Sequence, residues 1–362
     1  MSDAIASISE SQRSGVARRN GVGRGVAAMA RRLGLRLVGA DALSIRRRRR
    51  GKGWSYLRPD GRVIRDRALI DRLTRLAVPP AYEEVIYATD ERAHLQAIGR
   101  DAAGRLQYRY HPDWEKVREM RKARRLARLA DVLPHVRRSI GQHLAGAAPT
   151  REFALAAVIE LVARSAIRPG GEDYARLNGT RGAATLLKSN VSVYGEAITL
   201  TFRSKGGKTV DKEFSAPPLA TAIATLRALP GRRLFQYRGE DGAVRHVTAR
   251  EVNAFLREIA GVNISLKDFR TLLASASALE ALARTQPAAS AHRRRKQVLE
   301  AVRAVADDLT NTPAICRKSY VHDTVVAAFE DGVLERFAAT LKACRSGTRR
   351  AQVLARIIAA AG

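Results

Sequence analysis

A chain of 362 residues is long enough for about two domains and a tail, and its 46% hydrophobic content excludes disorder throughout. Lys and Arg number 65 against 35 Asp and Glu, giving a formal charge of +30 and a partner that should be a polyanion. No segment reaches the ~18 uninterrupted apolar residues of a membrane span, the first residues lack the apolar run of a secretory signal, and Cys316 and Cys344 are too few for a disulfide framework or a zinc cluster. A cytoplasmic, nucleoid-associated protein is the expectation.

Residues 1–50 contain twelve arginines, no lysine and three acids, and end in five consecutive arginines, Arg46 to Arg50. Like charges at that density repel one another. The stretch therefore reads either as a disordered, solubilising basic tail or as an arm that grips nucleic acid. Residues 51–113 change to short alternating runs. Trp54-Ser55-Tyr56-Leu57, the turn Arg58-Pro59-Asp60-Gly61 and Val63-Ile64 predict a hairpin. A short helix follows over residues 66–76, then strands at Val85-Ile86-Tyr87, at residues 94–97 and at residues 106–110, which together make a small strand-rich N-terminal domain.

From residue 114 to 143 the period is helical and the composition densely basic, a bridge into a second domain covering residues 114–362. That domain is mainly helical. Residues 152–167 place Phe153, Ala156, Ile159 and Val162 near i, i+3 spacing, which predicts a helix with one buried face. Val191-Ser192-Val193, residues 198–202 and a third strand ending near Phe214, separated by two glycine turns, predict a three-stranded antiparallel sheet. Helices resume over residues 216–229, after a capping box formed by Thr248 and Glu251, over residues 267–283, and on toward the C-terminus. The fold class is α+β.

Four side chains bear on chemistry, and singly each has an ordinary explanation. Lys205 sits on the turn Ser204-Lys205-Gly206-Gly207-Lys208 and reads as a solvated turn lysine. Arg168, ahead of Pro169-Gly170-Gly171, and Arg270 lie at the ends of apolar elements, where a guanidinium is either a surface group or a fork for phosphate oxygens. Tyr320 alone is a core or rim tyrosine.

In combination, two arginines, a loop lysine, Asn311 and a tyrosine nine residues after it, in that chain order, resemble the site of the type IB DNA topoisomerases, and specifically the small poxvirus-like form found in bacteria. The resemblance spans residues 51–322 and includes Gly104-Arg105-Leu106-Gln107-Tyr108-Arg109-Tyr110-His111-Pro112. It implies Tyr320 as nucleophile, Arg168 and Arg270 as the phosphate clamp, Lys205 as general acid and Asn311 at a fifth position that viral enzymes fill with histidine. Gln107, Tyr108, Tyr110 and Tyr174 fall on DNA-facing positions. The implied activity is relaxation of positive and negative supercoils through a 3'-phosphotyrosyl intermediate, independent of ATP and metal. The implied partner is double-stranded DNA, clamped by a monomer, with no cofactor, small-molecule substrate or membrane.

Thr310 and Ser204 stand where the family usually has glycine, and Pro169-Gly170-Gly171 alters the turn after Arg168. Two rivals share parts of this pattern. A tyrosine recombinase has histidine three residues before its second arginine, whereas this chain has Lys267. A non-catalytic DNA-binding protein would explain the charge but not the ordered set of side chains.

Overall fold

The computed structural model describes residues 24–344 and 347–360, and the first 23 residues of the expected tail lie outside them. Backbone proximity divides the chain into two units between Arg121 and Lys122, inside a long helix rather than ahead of it at residue 114. No helix among the described residues is long and apolar enough to cross a membrane.

The first unit contains α1 (Arg24–Arg32), β1 (Leu43–Arg50), β2 (Gly53–Leu57), α2 (Arg67–Arg75), β3 (Glu83–Ala88), β4 (Leu95–Arg100), β5 (Leu106–Tyr110) and the first turns of α3 (Trp114–Leu144). Its five strands form one antiparallel sheet in the order β2-β1-β3-β4-β5. One face buries Ile45, Tyr56, Val85, Tyr87 and Ala97 against Leu73 of α2, and the other buries Leu43, Ala88, Leu95 and Ile98. The Asp66 side chain caps α2 by accepting from the amides of Ala68 and Leu69, which fixes the helix start that its sequence signals.

The expectation of a basic, solvated tail up to residue 50 is corrected here. Residues 24–32 are helical, and the arginine run is the second half of β1, hydrogen-bonded to β2 and, at Arg46, to β3. Repulsion is relieved because alternate residues face opposite sides of a strand. Arg47 points inward and donates to the carbonyls of Val78, Pro79 and Tyr82 at 3.0, 2.7 and 2.7 Å. Its guanidinium carbon also lies 4.0 Å from the centroid of the Trp54 ring, so one charge of the five is spent on packing.

The second unit contains the rest of α3, then α4 (Arg151–Ser165), α5 (Glu172–Asn178), β6 (Val191–Tyr194), β7 (Ala197–Arg203), β8 (Thr209–Ser215), α6 (Pro217–Arg227), β9 (Gln236–Arg238) and β10 (Val244–His246). There follow α7 (Ala249–Ala260), α8 (Leu266–Ala283), α9 (Ala291–Asp308), α10 (Pro313–Ser319), α11 (Asp323–Glu330), α12 (Glu335–Ala343) and α13 (Gly347–Ala360). Strands β6, β7 and β8 form the expected meander, and β9 and β10 add a hairpin that the sequence patterning did not signal.

Helix α4 buries more than the single face expected of it. From Phe153 to Ile159 every side chain is buried, and Leu161 and Val162 continue the run. A helix apolar all round belongs in the middle of a core, and α4 is packed by α6, α7, α8 and β9. The Thr248–Glu251 capping box forms as read, with each side chain accepting from the other's backbone amide. A second box at Ser265 and Asp268 opens α8.

Candidate active site

The end of α4 sets Arg168. Ala166 takes a left-handed conformation at φ 53° and turns the chain out of the helix. The next residues are then pinned by a backbone crossing: Arg168 O accepts from Ala183 N at 2.8 Å and Pro169 O from Ala184 N at 2.9 Å. A Cβ on Gly182 would sit 2.5 Å from Gly170 N and 2.6 Å from Arg168 O, so this crossing closes only with glycine there. The guanidinium thus reaches two partners, Nη1 donating to Ser204 Oγ at 3.3 Å and Nη2 to Asn311 Oδ1 at 2.5 Å.

Asn311 is placed by the end of α9. Thr310 N donates to Asp307 O at 3.0 Å and Asn311 N to Ala306 O at 2.8 Å, the paired bonds of a Schellman turn, with Thr310 left-handed at φ 52°. Glycine normally fills that position of such a turn because it has no Cβ to strain, so the threonine here carries a strain that glycine would not. Since Arg168 can only donate, the Asn311 amide must present its oxygen to it. Its nitrogen Nδ2 is then left buried without a hydrogen-bond partner among the described residues.

Arg270 lies in the second turn of α8 and is 1% exposed. Its Nη2 donates to Leu309 O at 3.4 Å, its Nε has no partner among the described residues, and its Cζ lies 4.9 Å from the centroid of the Tyr320 ring. Burial lowers the pKa of this guanidinium to about 10; the Tyr320 phenol opposes the shift and the charge of Arg168 adds to it. At neutral pH it remains a cation with an unused donor.

Tyr320 follows α10, a short helix begun by the Thr312 cap and Pro313. The two peptide units that follow it are held. Ser275 Oγ of α8 donates to Tyr320 O at 2.9 Å and accepts from His322 N at 3.1 Å, while Lys122 Nζ of α3 donates to Val321 O at 3.2 Å. One helical turn along α3, Arg125 donates to Asp268 Oδ2 at 2.6 Å and to Ser265 Oγ at 3.0 Å, the box that opens the helix bearing Arg270. Cys316, one turn before Tyr320, is fully buried, and burial pushes its thiol up to about 11, so no thiolate competes as a nucleophile at neutral pH.

Four of the five expected site residues therefore share one place: Arg168 touches Asn311, and Arg270 lies against Tyr320 and bonds Leu309, two residues before Asn311. Lys205 is different. It sits on the exposed β7–β8 turn, where Gly206 and Gly207 take φ 81° and 75°, and its ammonium lies 5.4 Å from the centroid of the Tyr174 ring. The turn touches the cluster through Ser204, the residue before Lys205. Gln107, Tyr108 and Tyr110 lie on β5, an edge strand of the first unit, with the Gln107 amide bonded to Asp101 Oδ2 at 2.9 Å and Tyr110 40% exposed. The supports Ser275, Lys122 and Arg125 were not read from the sequence. Lys122 and Arg125 lie three apart on one helix face within the basic run, which was the available signal; Ser275 gave none.

Two family profiles match this chain, one described as the bacterial DNA topoisomerase IB N-terminal domain over residues 53–101 and one as the eukaryotic DNA topoisomerase I catalytic core over residues 111–346. The chain belongs to the type IB DNA topoisomerase family. Among curated proteins, a protein named DNA topoisomerase 1B from Acanthamoeba polyphaga mimivirus is 30% identical over 269 residues, covering 72% of this chain and 80% of that one. This topoisomerase is thus a type I enzyme whose partner is DNA. Arg168, Lys205, Arg270, Asn311 and Tyr320 all fall within the stretch matched by the catalytic core.

Proposed function

We propose that this protein relaxes supercoiled DNA by transient cleavage of one strand at Tyr320. The observation that carries the reading is the convergence of Arg168, Asn311, Arg270 and Tyr320, with Arg270 Nε and Asn311 Nδ2 left as buried, unused donors. A buried donor without an acceptor costs about 1–3 kcal/mol, and the cost is removed when phosphate oxygens accept from it.

The phenolic oxygen of Tyr320, releasing its proton to solvent, attacks phosphorus in line, forming the Tyr–O–P bond while the bond from phosphorus to the deoxyribose 5'-oxygen breaks. Negative charge builds on the non-bridging oxygens, where Arg168 and Arg270 supply fixed donors. Arginines aimed at a transferring phosphoryl group can be worth ~10³ to 10⁵ in rate. The departing 5'-oxygen takes a proton from Lys205, whose exposed turn lets the ammonium leave Tyr174 for the scissile linkage once DNA is bound. The product is a 3'-phosphotyrosyl linkage and a free 5'-hydroxyl. One phosphodiester has replaced another, so religation is the same exchange in reverse, and neither a nucleotide nor a metal ion is called for. Between the two steps the free end rotates and superhelical strain is lost. The enzyme acts as a monomer on duplex DNA, with Gln107, Tyr108, Tyr110 and Tyr174 contacting the substrate.

Relaxation of positively and of negatively supercoiled plasmid in EDTA without ATP is the expected result. A requirement for Mg²⁺ or ATP would overturn this reading, and recombinant products from paired sites would assign the chemistry to a recombinase.

A further inference from the structure

The run from Arg46 to Arg50 is the one prominent motif that the chemistry at Tyr320 does not use. Strand alternation divides it. Ile45, Arg47 and Arg49 share the face that carries Tyr56 and Tyr87, and both of those arginines lie against Trp54, with Arg49 Cζ 5.8 Å from its centroid. Arg46, Arg48 and Arg50 lie on the opposite face, all exposed, and among the described residues none is paired with a carboxylate.

Charges of this kind often guard an edge strand against unwanted pairing. That explanation does not reach Arg46, which is paired on both sides, with Leu57 of β2 and Ile86 of β3; beyond it β1 pairs with β2 alone. Three aligned like charges on one face repel one another, and Arg46 stands where there is no edge to protect, which points to a ligand that neutralises them.

The sheet register says where that ligand lies. Arg46 pairs with Ile86, Ile86 with Ile98, and Ile98 with Tyr108, so one lateral row carries an arginine at β1 and an aromatic at β5 on the same face. Tyr108 stacks on Tyr110 at 6.1 Å between centroids, and Tyr110 stacks on Trp114 at 6.1 Å. Three strand spacings put β1 about 14 Å from β5, close to the ~12 Å width of a major groove. Along β1, same-face arginines repeat about every 6.8 Å, a ladder suited to consecutive phosphates of one strand.

We propose that Arg46, Arg48 and Arg50 form a phosphate-binding ladder that extends the DNA-contacting face of the first unit from β5 across to β1. The inference rests on the reading above that Tyr108 and Tyr110 meet the duplex. An anionic target is recognised here by charge and spacing, not by base identity, and the ligand is the backbone of the duplex whose groove the β5 aromatics enter.

The test is the salt dependence of binding to a short linear duplex by the full chain. Each phosphate that is no longer neutralised should reduce the slope of log K against log salt by about 0.9, so R46Q/R48Q/R50Q should be shallower than wild type by about 2.7, while R46K/R48K/R50K should keep the wild-type slope. An unchanged slope in the folded glutamine variant would overturn the ladder. Should that variant fail to fold, phenylglyoxal labelling of wild type decides instead: duplex DNA should protect Arg46, Arg48 and Arg50, and equal labelling with and without DNA would overturn the proposal. The underlying reading fails separately, if wild type itself binds with a shallow slope and forms no covalent adduct. Tighter binding to phosphatidylserine vesicles than to duplex at equal salt would assign the face to a membrane surface instead.

Discussion

Thr310 holds a left-handed backbone at φ 52° with a β-branched side chain, in the turn that aims Asn311. Left-handed geometry costs an L-residue about 1–2 kcal/mol, and glycine escapes most of it. Thr310→Gly should therefore raise stability by about 1 kcal/mol, read as a higher melting temperature; a lower one would mean the threonine side chain contributes something its contacts do not show. Asn311 carries a second expectation. Its amide has no charge to lose, and Arg270, though lowered to about 10, stays protonated well above neutrality. With its folded pKa depressed, Arg270 would lose its charge only as pH rises through about 10, so the cleavage rate should be flat from pH 5.5 to 8. A step near ~6.5, where an unperturbed imidazole titrates, would contradict this. At this scale the sequence singled out the candidate residues, including Thr310 as a departure, because their order along the chain is itself informative. It could not show that Arg168 bonds Asn311 or that two donors stay unused, since those facts depend on how distant segments meet.

Elements do the positioning, and one place where backbone meets backbone closely is the crossing of residues 168–170 with residues 182–184. Adding one methyl at Gly182 forces backbone apart at Arg168 and Gly170. Gly182→Ala should cost about 1–3 kcal/mol in stability and slow cleavage more than it weakens DNA binding, because the displaced group is the proposed clamp. Equal, wild-type cleavage in a folded variant would mean that Arg168 is placed by its side-chain partners alone. Where local chemistry decides an element, the sequence was readable: the short helix after residue 66, the Thr248–Glu251 box and the glycine turns of the β6–β8 meander all stand as read. Where tertiary context decides, it was not. β1 was hidden because five arginines look like a solvated run until Val78, Pro79 and Tyr82 supply carbonyls for Arg47. The β9–β10 hairpin has only three residues per strand, too short for an alternating pattern to register. α4 was read as one-sided because i, i+3 spacing picks out a stripe even in a helix that is apolar all round.

For the whole molecule, the +30 charge is spread over both parts of the chain, and non-specific attraction to DNA follows from it directly. If 6 to 10 phosphates are contacted, affinity should fall by ~10³ to 10⁵ between 50 and 200 mM salt, measurable by fluorescence anisotropy; a shallow dependence would limit the interface to a small patch. Family membership was legible at this scale because the ordered site residues and the Gln107-Tyr108-Arg109-Tyr110 stretch span most of the chain. The division of the molecule was less so: the helix that links the units runs straight through Arg121 and Lys122 without any break in composition.

The central claim is that Tyr320 becomes covalently joined to DNA. Labelled duplex incubated with the protein, denatured in SDS and resolved on a gel, should give a protein–DNA adduct whose label is retained only on the 3'-phosphate side, and Tyr320→Phe should bind duplex yet yield none. Adduct of undiminished amount from Tyr320→Phe, or none from wild type that still shifts duplex on a native gel, would contradict the account.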